Sequence, residues 1–311
     1  MASNHRPIPH RPFGRTGLDV SILGLGGYHL GLLETQSDVK RIVDEAIDRG
    51  VNFFDNAWDY HDGKSETRVG KALKGRRHEV LVMTKVCTHG RDKKTAMRQL
   101  DESLRRLQTD YLDVWQIHEV IYPNETALYF RPGGAVEALE RAKKAGKVRF
   151  IGFTGHKDPA IHLDMLSRRF PFDTCQLPLN CFDATFRSFE QQVLPELQRQ
   201  GIAPIGMKSM GGEGRPVKER AVTPTEALRY AMSLPVGTTV SGIDSLKVLR
   251  QNLRIASSFE PMTVEEMSAL RARAASAAAD GHFELYKTSM SNDGPEGRRV
   301  HGFPSAEELP L

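Results

Sequence analysis

Short runs of apolar residues alternate with segments whose apolar positions recur every three or four residues, almost from one end of the chain to the other. The runs fall at residues 22–26, 51–56, 80–85, 112–118, 149–154, 174–179, 202–208 and 239–243, and are rich in Val, Ile, Leu and Phe. Most are continuous rather than alternating, as strands buried on both faces must be. The segments between them carry helix signals. Ser37 is placed to cap a helix whose inner face is Val39, Ile42, Val43, Ala46 and Ile47, with Gly50 ending it. Met97, Leu100, Leu104 and Leu107 form a core-facing stripe at helical spacing. Asp158 before Pro159 reads as a cap followed by proline in the first turn. Thr223 with Glu226, and Thr263 with Glu266, have the spacing of capping boxes.

Eight strand–helix units predict a parallel sheet with right-handed crossovers. An open doubly wound sheet competes, but eight units in one chain favour closure into a (β/α)₈ TIM barrel. The 311 residues suit one such barrel, which needs about 250. We assign residues 1–285 to the barrel and 286–311 to a C-terminal tail. Ahead of the first barrel strand, Phe13, Gly14, Arg15, Thr16 and Gly17 read as a turn, with a hairpin plugging the barrel's amino end. An Ala-rich helix at 268–279 precedes the tail. The tail lacks a period, yet Phe283, Leu285, Tyr286 and Phe303 are apolar anchors, and Gly294, Pro295 and Gly297 supply turns. These features predict a segment at 286–304 that folds back over the barrel mouth.

Composition narrows the class. Hydrophobic residues make up 39% and charged residues 26%, which is ordinary for a chain with a large core. The 43 basic and 39 acidic residues are interspersed, so no nucleic-acid-binding stripe emerges. The slight positive balance suits an anionic small molecule. No run approaches the ~20 apolar residues of a membrane span, so no membrane partner is expected. The first dozen residues carry His, Arg and Pro without an apolar run, unlike a signal peptide. Cys87, Cys175 and Cys181 are too few and too scattered for a disulfide framework. Together these features predict a cytoplasmic protein; oligomeric state is not legible.

In such a barrel, chemistry sits at the carboxyl ends of the strands. Three successive runs end in Asp55, Lys85 and His118, and Tyr60 lies on the loop after the first of them. Each alone has a structural reading: a turn cap, a snorkelling lysine, a satisfied core histidine. Together on one rim they fit proton transfer. A phenol is a weak acid near neutral pH. A neighbouring ammonium stabilises its phenolate, and a carboxylate keeps that ammonium charged and aimed. A neutral imidazole can hydrogen-bond a substrate oxygen. Tyr28, His29 and Trp58 are placed to line a substrate pocket.

Two other motifs carry less. Gly24, Leu25, Gly26 and Gly27 resemble half of a dinucleotide fingerprint but lack its third glycine, so a tight strand-end turn is the better reading. His29, His61 and His118 raise a metal-dependent barrel hydrolase, but no pair has ligand spacing on one helix, and no metal is predicted.

From about Phe13 to Ile255 the sequence resembles the aldo-keto reductase family. The resemblance is carried by Leu23 through Gly26, by Phe53 through Ala57 with Tyr60, and by Thr84 with Lys85. It continues with Gln116 through His118, Ile151 through Thr154, Gln176 with Asn180, and Gly242 through Asn252. It implies a catalytic tetrad of Asp55, Tyr60, Lys85 and His118, with Tyr60 as general acid reducing an aldehyde or ketone. It implies an extended nicotinamide cofactor, NADP(H) or NAD(H), bound by Thr154, Gln176, Met207, Lys208, Gly211 and Gly212. Gly242, Ser245, Lys247, Gln251 and Asn252 would then hold the cofactor's distal half.

The sequence departs from the family pattern at three of these places. Gly155 replaces an asparagine, which moves a carboxamide contact toward His156. Met207 replaces a stacking tyrosine. Val248 stands where many members have an arginine that grips the ribose phosphate, while Asp244 adds an acid nearby and Ser245, Lys247 or Arg250 could compensate. Cofactor preference therefore stays open, with only a modest preference for NADPH expected. Some barrels of this kind act as cofactor-loaded regulatory subunits, so a binding role stands beside the enzymatic one.

Overall fold

Burial on both faces is what the apolar runs demand, and a closed barrel supplies it. The computed structural model describes residues 7–87, 92–289 and 293–294. The opening hairpin pairs β1 (His10–Pro12) with β2 (Asp19–Ser21) antiparallel. The barrel strands are β3 (Leu23–Gly26), β4 (Phe53–Asp55), β5 (Leu81–Val86), β6 (Leu112–Ile117), β7 (Val148–Thr154), β8 (Thr174–Pro178), β9 (Ala203–Met207) and β10 (Thr238–Gly242). They are all parallel and pair in chain order, with β10 closing onto β3. Each lies within two residues of a predicted run, because side-chain type carries the signal when both faces are buried.

The hairpin does plug the amino end. Phe13 packs inside the barrel with Phe53, Met83, Val114, Ile205 and Val240, its ring 5.5 Å from that of Phe53. Gly14 allows this approach: it holds a positive φ of 55°, and a β-carbon there would meet the Ala203 backbone at 2.9 Å.

Helices cover the outside of the barrel. In Gln36–Asp48 all five predicted inner residues are buried, but the cap is Thr35, whose hydroxyl accepts from Asp38 N at 3.1 Å. Ser37 lies inside the first turn; Thr35 is the hydroxyl that reaches the N3 amide. Asp158 caps the helix Pro159–Ser167, and both capping boxes form. The helix Val264–Ala278 starts four residues earlier than expected, at its Thr263 cap. A further one-turn helix, Leu285–Thr288, is too short to show a period in sequence. All three cysteines are buried thiols. Among the described residues no helix is long and apolar enough to cross a membrane.

Candidate active site

The carboxyl ends of the strands surround a cavity of about 690 Å³. Strand order explains its chemistry. Asp55 ends β4, Lys85 lies next to the end of β5, and His118 directly follows β6, so three adjacent strands deliver them side by side. The Lys85 ammonium is buried, pairs with Asp55 Oδ1 and donates to the Asn56 carbonyl at 2.7 Å. From the far side of the barrel, Gln176 Nε2 donates to Asp55 Oδ2 at 3.1 Å. Asp55 is thus held on both oxygens and lies behind the cavity wall. Lys85, Tyr60, His118 and Gln176 line the cavity itself.

Lys85 Nζ lies 5.1 Å from the centroid of the Tyr60 ring, and the His118 ring meets that ring edge-on at 5.8 Å. The Tyr60 phenol is pushed well above its ordinary value, first by burial and then by Asp55, Asp59 and Glu119. The expected lowering by Lys85 is therefore outweighed. The ammonium is engaged by Asp55, and three carboxylates oppose a phenolate. Tyr60 accordingly stays protonated.

The cofactor residues expected from sequence divide into two groups. Thr154, Gln176, Met207, Lys208 and Gly212 line the cavity. Thr154 and Gln176 are register partners on β7 and β8. Burial lowers the Lys208 ammonium, whose Nζ sits 5.1 Å from the Tyr286 ring centroid. Gly211, Gly242, Ser245, Lys247, Gln251 and Asn252 do not line it. Gly211 packs so closely on the C-terminal segment that a β-carbon would meet the Phe283 carbonyl at 2.5 Å. Gly242 makes room for His29, which a β-carbon would meet at 2.4 Å. Ser245 caps the helix Leu246–Ser257, and Lys247 is exposed on it. Gln251 instead lines a groove with Thr225 and Arg229, away from the mouth. Asn252 is buried and donates to Ser241 Oγ at 3.0 Å.

One departure and one suggested compensation acquire physical reasons. A β-carbon at Gly155 would lie 2.3 Å from the Val120 carbonyl, so no asparagine fits there. Its neighbour His156 does line the cavity; burial is the main cause holding its imidazole down at about 3. Arg250 makes a two-pronged pair with Glu45, both bonds 2.8 Å, so its charge is already engaged.

Of the substrate residues expected from sequence, Tyr28 and His29 line the cavity. Trp58 does not. Its indole N–H donates to Glu102 Oε2 at 2.7 Å, and Arg106 Nη1 donates to its carbonyl at 2.9 Å. Trp58 is a loop anchor, because its ring nitrogen finds a carboxylate on the outer helix Lys93–Leu107.

Sequence reading missed Asp59, Asp62, Glu119 and Asp293, all of which line the cavity. Asp59 and Glu119 are immediate neighbours of Tyr60 and His118, which is the signal that could have found them. Asp293 accepts from Tyr122 OH at 3.0 Å and pairs with Lys157 at 2.8 Å. Burial pushes its carboxyl up, but His156 and Lys157 outweigh that and hold it below the usual range. The next residue, Gly294, donates its N–H to Glu119 Oε2 at 2.7 Å. The C-terminal segment therefore contributes two residues to the cavity wall; 290–292 and 295–311, including Phe303, Pro295 and Gly297, lie outside the described residues.

A closed parallel barrel with a polar, tyrosine- and lysine-bearing cavity at its carboxyl end defines a TIM-barrel protein. A profile of the Aldo/keto reductase family matches residues 22–221. The chain is 32% identical over 231 residues to L-galactose dehydrogenase of Arabidopsis thaliana, across 67% of this chain and 69% of that one. It matches the holo form of aldo-keto reductase AKR11C1 from Bacillus halodurans with a TM-score of 0.72 and 25% identity, covering 86% and 96% of the two chains. It shares its fold with the aldo/keto reductase from Klebsiella pneumoniae solved with NADP and acetate, at a TM-score of 0.65 and 24% identity over 83% and 92%. The chain belongs to the aldo-keto reductase family and is an NAD(P)H-dependent oxidoreductase.

Proposed function

We propose that the protein reduces an aldehyde or ketone to an alcohol, reversibly, with Tyr60 as the general acid. The observation that carries this reading is the convergence of Tyr60, His118 and the Asp55-held Lys85 on one cavity. The Tyr60 hydroxyl keeps its proton until a negatively charged oxygen develops beside it, and then donates. The Lys85 ammonium, fixed by Asp55 and the Asn56 carbonyl, supplies positive charge next to the phenolate that remains. His118, edge-on to the Tyr60 ring, accepts a hydrogen bond from a neighbouring hydroxyl of the substrate and so orients it. Turnover of an aldehyde with a reduced nicotinamide cofactor tests the reading, and no turnover across a broad carbonyl panel would count against it.

The wall fits a nicotinamide. Gln176 Oε1 is buried without a hydrogen-bond partner and faces a site where a carboxamide N–H₂ would satisfy it. Thr154 and His156 flank it, and Met207 offers a thioether to a ring face. Gly212, at a φ of 86°, permits close backbone approach. When bound, the reduced nicotinamide supplies the hydride. For the distal half, Val248 carries no charge and Arg250 is committed to Glu45, which argues for little discrimination between NADPH and NADH. A charged hydrogen bond is worth about 1.5–3 kcal/mol, so one missing contact removes much of a preference. Fluorescence titration of both reduced cofactors should give dissociation constants within about a hundredfold of each other, and a wider gap in either direction would refute this.

The substrate reading follows from the wall. Carboxylates from Asp59, Asp62, Glu119 and Glu213 and imidazoles from His29 and His61 make about half of the wall polar. Such a wall accepts hydrogen bonds from hydroxyl groups. We read it as suited to a neutral hydroxylated carbonyl, in keeping with the sugar in the name of the plant relative.

We also assign the tail to the site. Asp293→Ala removes the acceptor of Lys157 and Tyr122 and frees Gly294 from the mouth. The Michaelis constant for the carbonyl should rise several-fold, about the effect of one lost hydrogen-bonded contact, with cofactor affinity and melting temperature little changed. Truncation after Ser289 should reproduce the effect. Unaltered kinetics in both variants would remove the tail from the site.

A further inference from the structure

We propose that Asp59 is the positioning residue of His118: its carboxylate accepts the imidazole Nδ1–H and thereby presents Nε2 to the cavity, beside Tyr60. The proposal rests on the roles given above to Tyr60 and His118. Asp59 Oδ1 lies 3.2 Å from His118 Nδ1, and the two side chains are 8% and 7% exposed. A neutral imidazole carries one N–H, and the partner of one nitrogen decides what the other presents. His118 Nδ1 is buried and makes no hydrogen bond as placed; Asp59 Oδ1, 3.2 Å away, is the acceptor that a small turn of the ring brings into line. A buried donor left without an acceptor costs about 1–3 kcal/mol, which favours the pairing.

Both partners are held from outside the pair. Trp58 N donates to the Lys85 carbonyl at 3.0 Å, and its indole is fixed to Glu102, so the residue before Asp59 is pinned to the end of β5 and to the outer helix. His118 N donates to the Val86 carbonyl at 2.9 Å, which ties the imidazole to the same strand end. The Asp59–His118 separation is therefore set by the barrel. On its other side the carboxylate faces the tail: a β-carbon built on Gly294 would lie 3.4 Å from Asp59 Oδ2. Asp59 is thereby enclosed between the imidazole and the C-terminal segment. It acts through His118, whose ring meets that of Tyr60 edge-on.

The experiment uses the full chain with ¹⁵N-labelled histidine and no cofactor, so the readout does not depend on turnover. His118→Gln identifies the His118 ring signals. In the wild type the Nδ1 position should be protonated. In Asp59→Ala the proton should move toward Nε2. Turnover number should fall about 10–100-fold, the range seen when outer partners of functional histidines are removed, while the Michaelis constant changes little. Asp59→Asn keeps an acceptor oxygen and should restore most of the turnover and the wild-type ring pattern. An unchanged ring-nitrogen pattern in Asp59→Ala, or a turnover number equal to wild type, would overturn the proposal. Because the spectrum is read without catalysis, a failure of Tyr60 as the acid and a failure of Asp59 as the partner give different results.

Discussion

Tyr60→Phe should abolish most carbonyl reduction while leaving the fold and cofactor binding intact. The substitution removes one oxygen from a half-buried ring and keeps the ring's contacts with Tyr28, His118 and Lys85. What it removes is the hydroxyl that lines the cavity next to the Lys85 ammonium. General acid catalysis contributes about 10²–10⁴-fold, and a loss of that size in turnover number is expected. The raised phenol sharpens the expectation. With burial and three carboxylates holding the proton on Tyr60, the donor is loaded throughout the neutral range. Single-turnover reduction of an aldehyde, with cofactor affinity measured in parallel, checks the prediction. Near-wild-type turnover would show that the proton comes from elsewhere, and His118 would be the next group to test.

The second large effect concerns stability rather than chemistry. Lys287 is buried, and its ammonium donates to Asp183 Oδ1 at 2.7 Å, Glu284 Oε2 at 2.9 Å and the Phe186 carbonyl at 2.8 Å. Asp183 also accepts from Ser188 Oγ and from the amides of Phe189 and Glu190. Glu284 accepts from Asn180 and Tyr286, and Asn180 also donates to the Lys208 carbonyl at the site. Lys287→Met fills similar space but leaves two buried carboxylates without their cation. Breaking a buried pair this way costs about 3–5 kcal/mol, mostly from the uncompensated charge left behind. Urea unfolding should show a lower midpoint at unchanged slope. Burial already pushes the Glu284 carboxyl up, and the lysine opposes that shift. Without the lysine, the folded state should take up a proton more readily than the unfolded chain. The gap between variant and wild type should then narrow as pH falls toward the carboxylate range. A loss below about 1 kcal/mol would mean that the network relaxes around the gap.

Much of this was legible in the order of residues. Strands buried on both faces must be apolar throughout, so each barrel strand declared itself by side-chain type. Polar residues terminating such strands then stood out: Asp55, Lys85 and His118 each had a structural reading alone, but fell together on one rim. The structure brings these three together because consecutive strands are neighbours in the barrel. Gln176 was reachable by the same logic, and it crosses the barrel to Asp55.

The misses share a cause. Trp58 looked like a pocket aromatic, but only the position of Glu102 decides where its N–H points. Arg250 looked available for a phosphate until Glu45, 205 residues away in sequence, took both prongs of its guanidinium. The shift at Tyr60 reversed direction because Asp59 and Glu119 face it.

The sequence by itself determined the fold class and the polar residues that end the barrel strands at one rim. Local periodicity and residue type suffice for these, since a side chain's preference for burial is intrinsic to it. Only the tertiary structure decided which charges pair, how the Lys85 ammonium is divided between Asp55 and Tyr60, and that Asp293 and Gly294 belong to the cavity wall. Ion pairs such as Lys287 with Asp183, 104 residues apart, leave no local pattern. Coulomb energy depends on distance and on the surrounding dielectric, and both are set only when the chain has folded.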